Sequence, residues 1–160
     1  MKITAQEEYG LRILIRIAGY RTKGGMSIPQ LSEAEGLSSH YIAKLTRKLR
    51  MEGFINSTPG YKGGYVLAVP AENISIKNVL KALGGELFGD DFCKTHPGTL
   101  KICNNSAECS ARSLWHMIQF SVDQLLEKVT LDDLINTESN SLSILNDRLK
   151  EGRLVTEIPL

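Results

Sequence analysis

Apolar residues recur with a helical period in the first 20 residues of the chain. Those that share one face of this predicted helix are Leu11, Leu14, Ile15 and Ala18. Thr4 precedes them, and Glu7 stands three residues later, which is the pattern of a capping box at a helix N-terminus. We therefore expect a first helix that begins after Thr4 and ends near Tyr20.

Two short helices are predicted next. Ser27 caps the first, which covers residues 30–35 and ends at Gly36. Ser38 or Ser39 caps the second, which continues to about residue 52. Its apolar face consists of Ile42, Leu45 and Leu49. Two short helices joined by a tight turn that contains Gly are typical of a helix-turn-helix motif.

The pattern then changes to that of two short strands. Residues 54–58 and 64–69 are strand-like, and they flank a turn over residues 59–63 that contains Pro and Gly. A β-hairpin directly after a helix-turn-helix motif is the layout of a winged helix. The turn would be the wing.

A segment without a steady hydrophobic period interrupts the helical pattern. It follows a fourth predicted helix at residues 76–83, which Ser75 caps, and it extends over residues 85–109. Gly, Pro, Asn and Ser are frequent in it, so we expect a loop rather than a part of the core. All three cysteines of the chain lie in this segment.

A long amphipathic helix is predicted from its cap, Ser110, to about Lys128. Its apolar seam consists of Ala111, Leu114, Trp115, Ile118, Val122, Leu125, Leu126 and Val129. The seam can cover the chain's own core or pair with a second copy. We favour a dimer, because the basic module at the front of the chain is small. Residues 130–135 predict a short capped helix, and the polar residues after Asn136 contain a final short helix at 142–150.

The predicted fold class is therefore mainly α with a small β-hairpin wing. It combines a winged helix-turn-helix with a long dimerisation helix. Four regions follow from this pattern: a DNA-binding domain at residues 1–84, a cysteine sensor loop at 85–109, a dimerisation helix with its short following helix at 110–136, and a polar C-terminal tail at 137–160.

Charge is distributed unevenly between the two halves of the chain. Residues 1–70 hold ten Lys or Arg against five Glu, a net charge of +5, whereas residues 71–160 hold nine Lys or Arg against thirteen Asp or Glu, a net charge of −4. The net positive charge of the N-terminal part indicates that this part binds an anionic partner. The chain shows neither an apolar run of about 20 residues, as a membrane span needs, nor a signal peptide. We expect a cytoplasmic protein with no membrane partner, in which thiols stay reduced.

The third predicted helix carries the groups that a DNA-reading helix needs. Short polar groups stand in its first turn, and cations follow along one side. The predicted DNA-binding residues of this helix are Ser38, Ser39, His40, Tyr41, Lys44, Arg47, Lys48 and Arg50. In the wing, Lys62 adds a cation, and Gly60, Gly63 and Gly64 allow the backbone to approach a phosphate. Most of these contacts should be with phosphates, so that affinity falls steeply with salt.

The spacing of the cysteines, C-x9-C-x5-C, brings three thiols close together in sequence. Thiolates favour an iron–sulfur cluster or zinc, and such a site normally has a fourth ligand. We favour a cluster bound by Cys93, Cys103 and Cys109. Zinc is the second interpretation, with His96, three residues beyond Cys93, as the fourth ligand. The third is a thiol switch in which two cysteines form a disulfide, and the fourth gives the cysteines no role.

Three stretches resemble motifs of a known family of regulators. Residues 8–12 resemble its first-helix motif, residues 38–50 its recognition helix and residues 60–65 its glycine-rich wing. The family is that of the winged-helix iron–sulfur regulators, which include the cluster-assembly regulator IscR and the nitric-oxide sensor NsrR. The resemblance covers about residues 1–135. It implies a homodimeric repressor or activator whose two recognition helices read a pseudo-palindromic operator in double-stranded DNA.

The resemblance also implies a fourth cluster ligand. In the cluster-assembly regulator this ligand is a histidine three residues after the last cysteine, and the matching residue here is Arg112, a poor ligand. In the nitric-oxide sensor and similar members it is an acidic residue in the first helix of the other subunit, and the matching residue is Glu8. We therefore predict Glu8 of the partner subunit, with His96 as the alternative. The gap between Cys93 and Cys103 is longer than is usual in the family.

Taken together, the sequence predicts a transcription regulator and not an enzyme. An iron–sulfur cluster that senses cluster status, nitric oxide or redox state would switch its affinity for DNA. The alternative is a winged-helix regulator that uses zinc or a thiol–disulfide pair. A cysteine enzyme with Cys93 as nucleophile and His96 or His116 as base is disfavoured, because no nucleophile motif or orienting partner is evident. A module that binds an acidic protein is a further rival, which salt-dependent, sequence-specific duplex binding would exclude.

Overall fold

The structure is a computed structural model that describes residues 3–20, 22, 24–60, 63–86, 88–89, 92–99 and 101–151. Most of these residues lie in helices. In chain order the regular elements are α1 (Ala5–Gly19), α2 (Ile28–Glu35), α3 (Ser39–Met51), β1 (Ile55–Ser57), β2 (Tyr65–Leu67), α4 (Ile76–Leu83), α5 (Phe92–Thr95), α6 (Ser110–Glu127) and α7 (Glu138–Glu151). Two 3₁₀ helices lie at Ala71–Asn73 and Asp132–Leu134. The predicted class, mainly α with one small hairpin, is confirmed.

Local capping chemistry sets the ends of α1, α2 and α3. The Thr4 hydroxyl accepts a hydrogen bond from the N–H of Glu7, whose carboxylate in turn accepts one from the N–H of Thr4. Ser27 and Gln30 form a second capping box, and Gly36 ends α2 with φ of 66°. Ser38 caps α3 by accepting from the N–H of Tyr41 at 3.3 Å. The predicted caps of these three helices are therefore confirmed.

The core lies where α1, α3 and α4 meet. Ile42, Leu45 and Leu49 of α3 are fully buried, as predicted. On α1 the buried face differs from the predicted one. Ile13 and Ile17, which the prediction left out, are buried, whereas three of the four predicted residues are only half-buried. The reason is that α1 contacts α2, α3, α4 and β2, so a broad stripe of the helix is covered.

The hairpin pairs β1 with β2 in antiparallel register, with Ile55 opposite Leu67. Met26 adds a bridge on the other side of β2, since the backbones of Met26 and Tyr65 exchange two hydrogen bonds. This bridge fixes the wing to the segment that leads into α2. Lys62, the predicted wing cation, lies outside the described residues.

The cysteine segment and its flanks differ from the prediction in two respects. A short helix, α5, contains Cys93 in the region that was expected to be loop. Ser110 does not cap α6 but is its first residue, and Cys109 occupies the N-cap position without a side-chain capping bond. The first difference arises because aromatic contacts, described below, order α5.

The long helix α6 divides its apolar seam between two environments. Its C-terminal end joins the chain's own core: Leu126 packs against the core, and Val129 just beyond the helix is buried. Its N-terminal half leaves Leu114 and Trp115 each 48% exposed. The prediction that the whole seam faces a second copy is therefore wrong for Leu126 and Val129, because the segment after α6 pairs with the start of α4.

The region that begins at residue 137 contains a helix longer than expected. Helix α7 covers Glu138–Glu151, and Leu145 on it packs against the core. Arg148 of α7 forms an ion pair with Asp133 at 3.3 Å. None of the described helices is long and apolar enough to cross a bilayer.

Candidate functional site

Helix α3 presents a polar, cationic face to solvent. Ser39, His40, Lys44, Arg47 and Arg50 are all exposed on the side away from the buried apolar residues. Residues spaced three and four apart share a helix face, so His40, Lys44 and Arg47 form one continuous row. This row has the arrangement required to enter a major groove, with short polar groups at the N-terminal turn and cations behind them.

Two of the predicted DNA-binding residues lie instead on the flank of α3 that faces the rest of the domain. Tyr41 is half-buried, and its ring meets that of Tyr9 edge-on with centroids 6.1 Å apart. Lys48 is also half-buried, and its Nζ donates to the carbonyl of Leu83 at 2.9 Å. The assignment of Lys48 as a DNA contact stays untested, and the geometry argues against it, because its ammonium group binds inside the molecule.

The structure gives a reason for glycine at two positions of the wing that the sequence did not reveal. The N–H of Gly63 donates to the carbonyl of Gly60 at 2.9 Å, and the N–H of Gly64 donates to the hydroxyl of Thr58 at 2.7 Å. A Cβ on Gly64 would lie 2.6 Å from the backbone of Met26. Close packing therefore explains both glycines, and their N–H groups donate within the wing, while their predicted contact with DNA stays untested.

A buried carboxylate that sequence reasoning missed joins the first two helices. The side chain of Glu35 is 1% exposed and pairs with Arg12 at 2.6 Å and with Arg16 at 2.7 Å. The guanidinium of Arg12 also lies 5.6 Å from the centroid of the Tyr9 ring. The two arginines are four residues apart on α1 and therefore share a helix face, and this spacing was the sequence signal for a shared acidic partner. This pair of contacts fixes α2, and hence the turn before α3, against α1.

Aromatic contacts position the cysteine segment on α6. The buried ring of Phe88 meets His116 of α6 edge-on at 5.0 Å and Phe92 of α5 at 5.2 Å. The ring of Phe92 in turn stacks on His96 at 4.4 Å. The N–H of Phe88 donates to Gln119 at 3.1 Å. This row of rings orders α5 and thereby places Cys93.

Two of the three cysteines share a cavity of about 380 Å³ beside this row of rings. Cys93 and Cys103 line it, together with the cationic side chains of Lys94, Lys101 and Arg112. Cys109 is not among the lining residues. All three thiols are free and partly exposed. The cavity therefore brings two thiols close to three cationic side chains.

The predicted metal ligands do not converge within one chain. Among the described residues, no three of His, Cys, Asp and Glu are close enough to bind a metal ion. Glu8 is exposed on the side of α1 opposite Gly10 and Leu14, and so it faces away from its own core. The Nδ1 atom of His96 lies 3.0 Å from the hydroxyl of Thr95 and 3.1 Å from the carbonyl of Phe92. For the described residues to form a complete ligand set, the segment would have to rearrange or a further group would have to contribute.

Arg112, which the sequence analysis set aside as a metal ligand, forms hydrogen bonds within the cysteine segment. Its Nη2 donates to the carbonyls of Asn105 and Ser106 at 3.1 and 3.0 Å. These bonds close the turn between Cys103 and Cys109 onto the first turn of α6. The residue thus stabilises the shape of the segment.

Comparisons with known proteins agree with this geometry. A model of the Rrf2 family, described as iron-dependent transcriptional regulators, matches residues 3–137. The Rrf2 protein of Nitratidesulfovibrio vulgaris is 34% identical over 139 residues, which cover 87% of this chain and 90% of that protein. The transcriptional regulator IscR of Pectobacterium carotovorum subsp. carotovorum is 27% identical over 138 residues, which cover 86% of this chain and 81% of that protein.

A solved structure extends the similarity to the whole winged-helix architecture. The structure of CymR, the global cysteine regulator of Bacillus subtilis, matches with a TM-score of 0.63 and 29% identity, covering 84% of this chain and 96% of that chain. The related proteins thus include both IscR and a cysteine regulator. The family model covers far more than half of the sequence, and the predicted family is confirmed. The chain belongs to the Rrf2 family of transcriptional regulators.

Proposed function

We propose that this protein is a homodimeric, DNA-binding transcription regulator whose affinity for its operator is switched by an iron–sulfur cluster bound in the cysteine segment. Membership of the Rrf2 family supports the regulatory function. The observation that carries the DNA-binding part is the exposed row formed by His40, Lys44 and Arg47 on α3. In a dimer, two such rows would read the two halves of a pseudo-palindrome.

The chemistry of the donor set fits an iron–sulfur cluster. Cys93, Cys103 and Cys109 supply soft thiolate ligands, and all three are accessible from outside the core. The cations that line the cavity with Cys93 and Cys103 offset the negative charge of thiolates. When bound, such a cluster supplies a centre that reacts with oxidants and nitric oxide.

Glu8 of the partner subunit is the fourth ligand in this proposal. On its own chain Glu8 points away from the core, which leaves its carboxylate free to reach a second copy. A carboxylate from α1 of one DNA-binding domain would then connect that domain to the cysteine segment of the other. Release of this contact would allow the two recognition helices to change their separation or tilt, and a coupling of about 1–3 kcal/mol is typical of such switches.

Metal content and spectra test the cluster. The protein is purified without oxygen, and iron, acid-labile sulfide and zinc are counted per chain beside an absorbance spectrum. We expect iron and sulfide in similar amounts, and we expect Glu8→Ala to make the cluster more labile while His96→Ala leaves it intact. Stoichiometric zinc, or an unchanged cluster in Glu8→Ala, would contradict the corresponding part of the proposal.

Binding to DNA is tested separately. A duplex selected by the protein from a random library is titrated at several salt concentrations. Each phosphate contact that is lost should reduce the slope of log K against log salt by about 0.9. We therefore expect Lys44→Met and Arg47→Met to lower both affinity and slope, whereas Lys150→Met, at an exposed position of α7, changes neither.

A thiol switch is the second candidate, and a specific observation favours it. Cys93 and Cys103 line one cavity, whereas Cys109 does not. The similarity to the global cysteine regulator CymR is compatible with sensing that needs no cluster. If the purified protein contains no metal even after treatment with iron and sulfide, a disulfide between Cys93 and Cys103 becomes the proposed switch, and mass spectrometry of the oxidised protein would detect it.

A further inference from the structure

The last carbonyl group of α4 is held by two other helices. The carbonyl of Leu83 accepts a hydrogen bond from Lys48 Nζ of α3 at 2.9 Å and another from the side-chain amide of Gln6 of α1. The side chain of Leu83 is buried and lies against Gly10. Both the backbone and the side chain at the end of α4 are thus fixed to the DNA-binding domain.

A lysine is well suited to this position. The last carbonyls of a helix lack partners within the helix and form the negative end of its dipole, so a cation there is stabilising. Lys48 uses its half-buried stem to reach this carbonyl from the flank of α3, beside Tyr41. Lys44, one turn earlier, is exposed on the row that faces solvent. The two lysines therefore have different surroundings although they are four residues apart.

The carbonyl of Leu83 also lies where the chain passes from the DNA-binding domain into the cysteine segment. Gly84 and Gly85 follow at once, and an ion pair of 2.6 Å between Lys81 and Glu86 spans them. Phe88 is the next buried residue among those that the structure describes, and its ring contacts Phe92, which adjoins Cys93 on α5. Contacts at both ends of this short connection therefore link the recognition helix, through the backbone between them, to the first cysteine.

We propose that Lys48 is a positioning residue that couples the recognition helix to the cysteine segment through the carbonyl of Leu83. The inference rests on the proposed function, because it takes DNA and the cysteine segment to be the two coupled sites. Coupling between two sites is reciprocal. Occupation of α3 by DNA must therefore change the stability of the cysteine segment, and Lys48 must be required for this change.

Hydrogen–deuterium exchange with mass spectrometry measures this effect on the full-length protein, with or without a cluster. Exchange of amides in residues 84–99 is compared in the free protein and in the protein saturated with the selected duplex. In the wild type we expect DNA to change these rates by about 5-fold or more, the lower limit of typical coupling. Lys48→Met retains the alkyl stem but removes the donor, and it should abolish most of this change.

Three matched variants separate coupling from other effects. Gln6→Met removes the other donor to the same carbonyl without touching α3, and it should keep the response to DNA. Lys48→Arg retains a cationic donor and should restore the response. Lys44→Met should weaken binding and reduce its salt slope, yet keep the response once DNA is saturating. Lys48→Met, in contrast, should leave the salt slope unchanged.

The outcomes distinguish this inference from the proposed function. A wild-type response that survives in Lys48→Met overturns the coupling role, and so does a salt slope reduced as in Lys44→Met. A wild type that shows no response to DNA overturns it as well. Absence of iron and sulfide would contradict the cluster alone, since the exchange experiment requires no metal.

Discussion

Leu83 packs against α1 at a point where a glycine leaves room for it. A Cβ on Gly10 would lie 2.6 Å from both terminal methyl groups of Leu83, whose side chain is 1% exposed. The sequence pattern does not predict this close approach. Gly10 stands inside a helix, where a glycine would be expected to weaken the helix. The glycine is required by the approach of α4.

We expect Gly10→Ala to lower the free energy of unfolding by about 1–3 kcal/mol, the usual cost of overpacking a core. Gly19→Ala is the matched control on the same helix, because its Cβ would lie 3.8 Å from Ile135. That variant should be unchanged or more stable by up to about 1 kcal/mol. Urea denaturation of both variants checks the prediction, and equal effects would contradict it.

Asp133 links the segment after α6 to α7. Burial raises the pKa of its carboxyl group, but hydrogen bonds from the N–H and hydroxyl of Thr130 and from Arg148, together with the charge of Arg148, lower it more. The net pKa therefore lies below the ordinary value of 3.8. Because the pKa is lower in the folded state, the ionised group stabilises the fold above the unfolded-state pKa.

This stabilisation should be present at neutral pH and should be lost as the pH falls through the folded-state pKa, below 3.8. Asp133→Asn should accordingly be less stable than the wild type at pH 7, and the difference should shrink in acid. Thermal unfolding from pH 7 to pH 3 measures it. Asp132→Asn, an exposed neighbour, is the control and should change stability at pH 7 less than Asp133→Asn does. A constant difference for Asp133→Asn would argue against the assigned role.

Helix α7 illustrates how an element with a weak sequence signal can still be part of the packed structure. It begins at Glu138, one residue beyond the region matched by the family model. Its polar composition indicated a tail, yet Leu145 packs against the core and Arg148 pairs with Asp133. Short amphipathic helices gain most of their stability from such packing rather than from propensity.

Leu145→Ala should therefore lower the free energy of unfolding by about 1–2 kcal/mol, less than the 2–5 kcal/mol of a fully buried leucine. Leu142→Ala is the control within α7, because that side chain is 59% exposed. It should change stability by less than about 0.5 kcal/mol. Equal losses for the two variants in urea denaturation would show that α7 does not pack as described.

Helix α6 carries an exposed apolar patch. Leu114 and Trp115 are each 48% exposed, and Met117 is 41% exposed. Other positions of α6 face the chain's own α4, as the ion pair of Asp123 with Lys77 at 3.6 Å shows. The patch thus lies on the part of the helix that its own domain does not use, which supports the proposed homodimer.

Leu114→Glu should weaken self-association by at least about 2 kcal/mol, the threshold of an interface hot spot, or roughly 30-fold in Kd. The physical reason is that a charge would be buried without a partner. Ser143→Glu, which places the same charge at an exposed position of α7, should remain dimeric. Analytical ultracentrifugation over a range of concentrations decides the outcome, and a Leu114→Glu dimer as tight as the wild type would exclude this patch from the interface.

The sequence by itself determined the features that depend on neighbours within a few residues. The caps at Thr4, Ser27 and Ser38, the end of α2 at Gly36 and the order of helices and hairpin follow from local hydrogen bonding and hydrophobic period. The motifs that indicated the family are local as well. Such rules need no knowledge of which elements meet.

Only the tertiary structure decided whether certain side chains face solvent or bind a partner within the molecule. Lys48 resembles Lys44 in sequence, but α4 places a carbonyl beside it. Glu35 is buried because two arginines of α1 lie opposite it. Cys93 lies on a helix because a row of aromatic rings orders that segment. In each case the deciding partner is distant in sequence, so the contact arises only when the helices pack together.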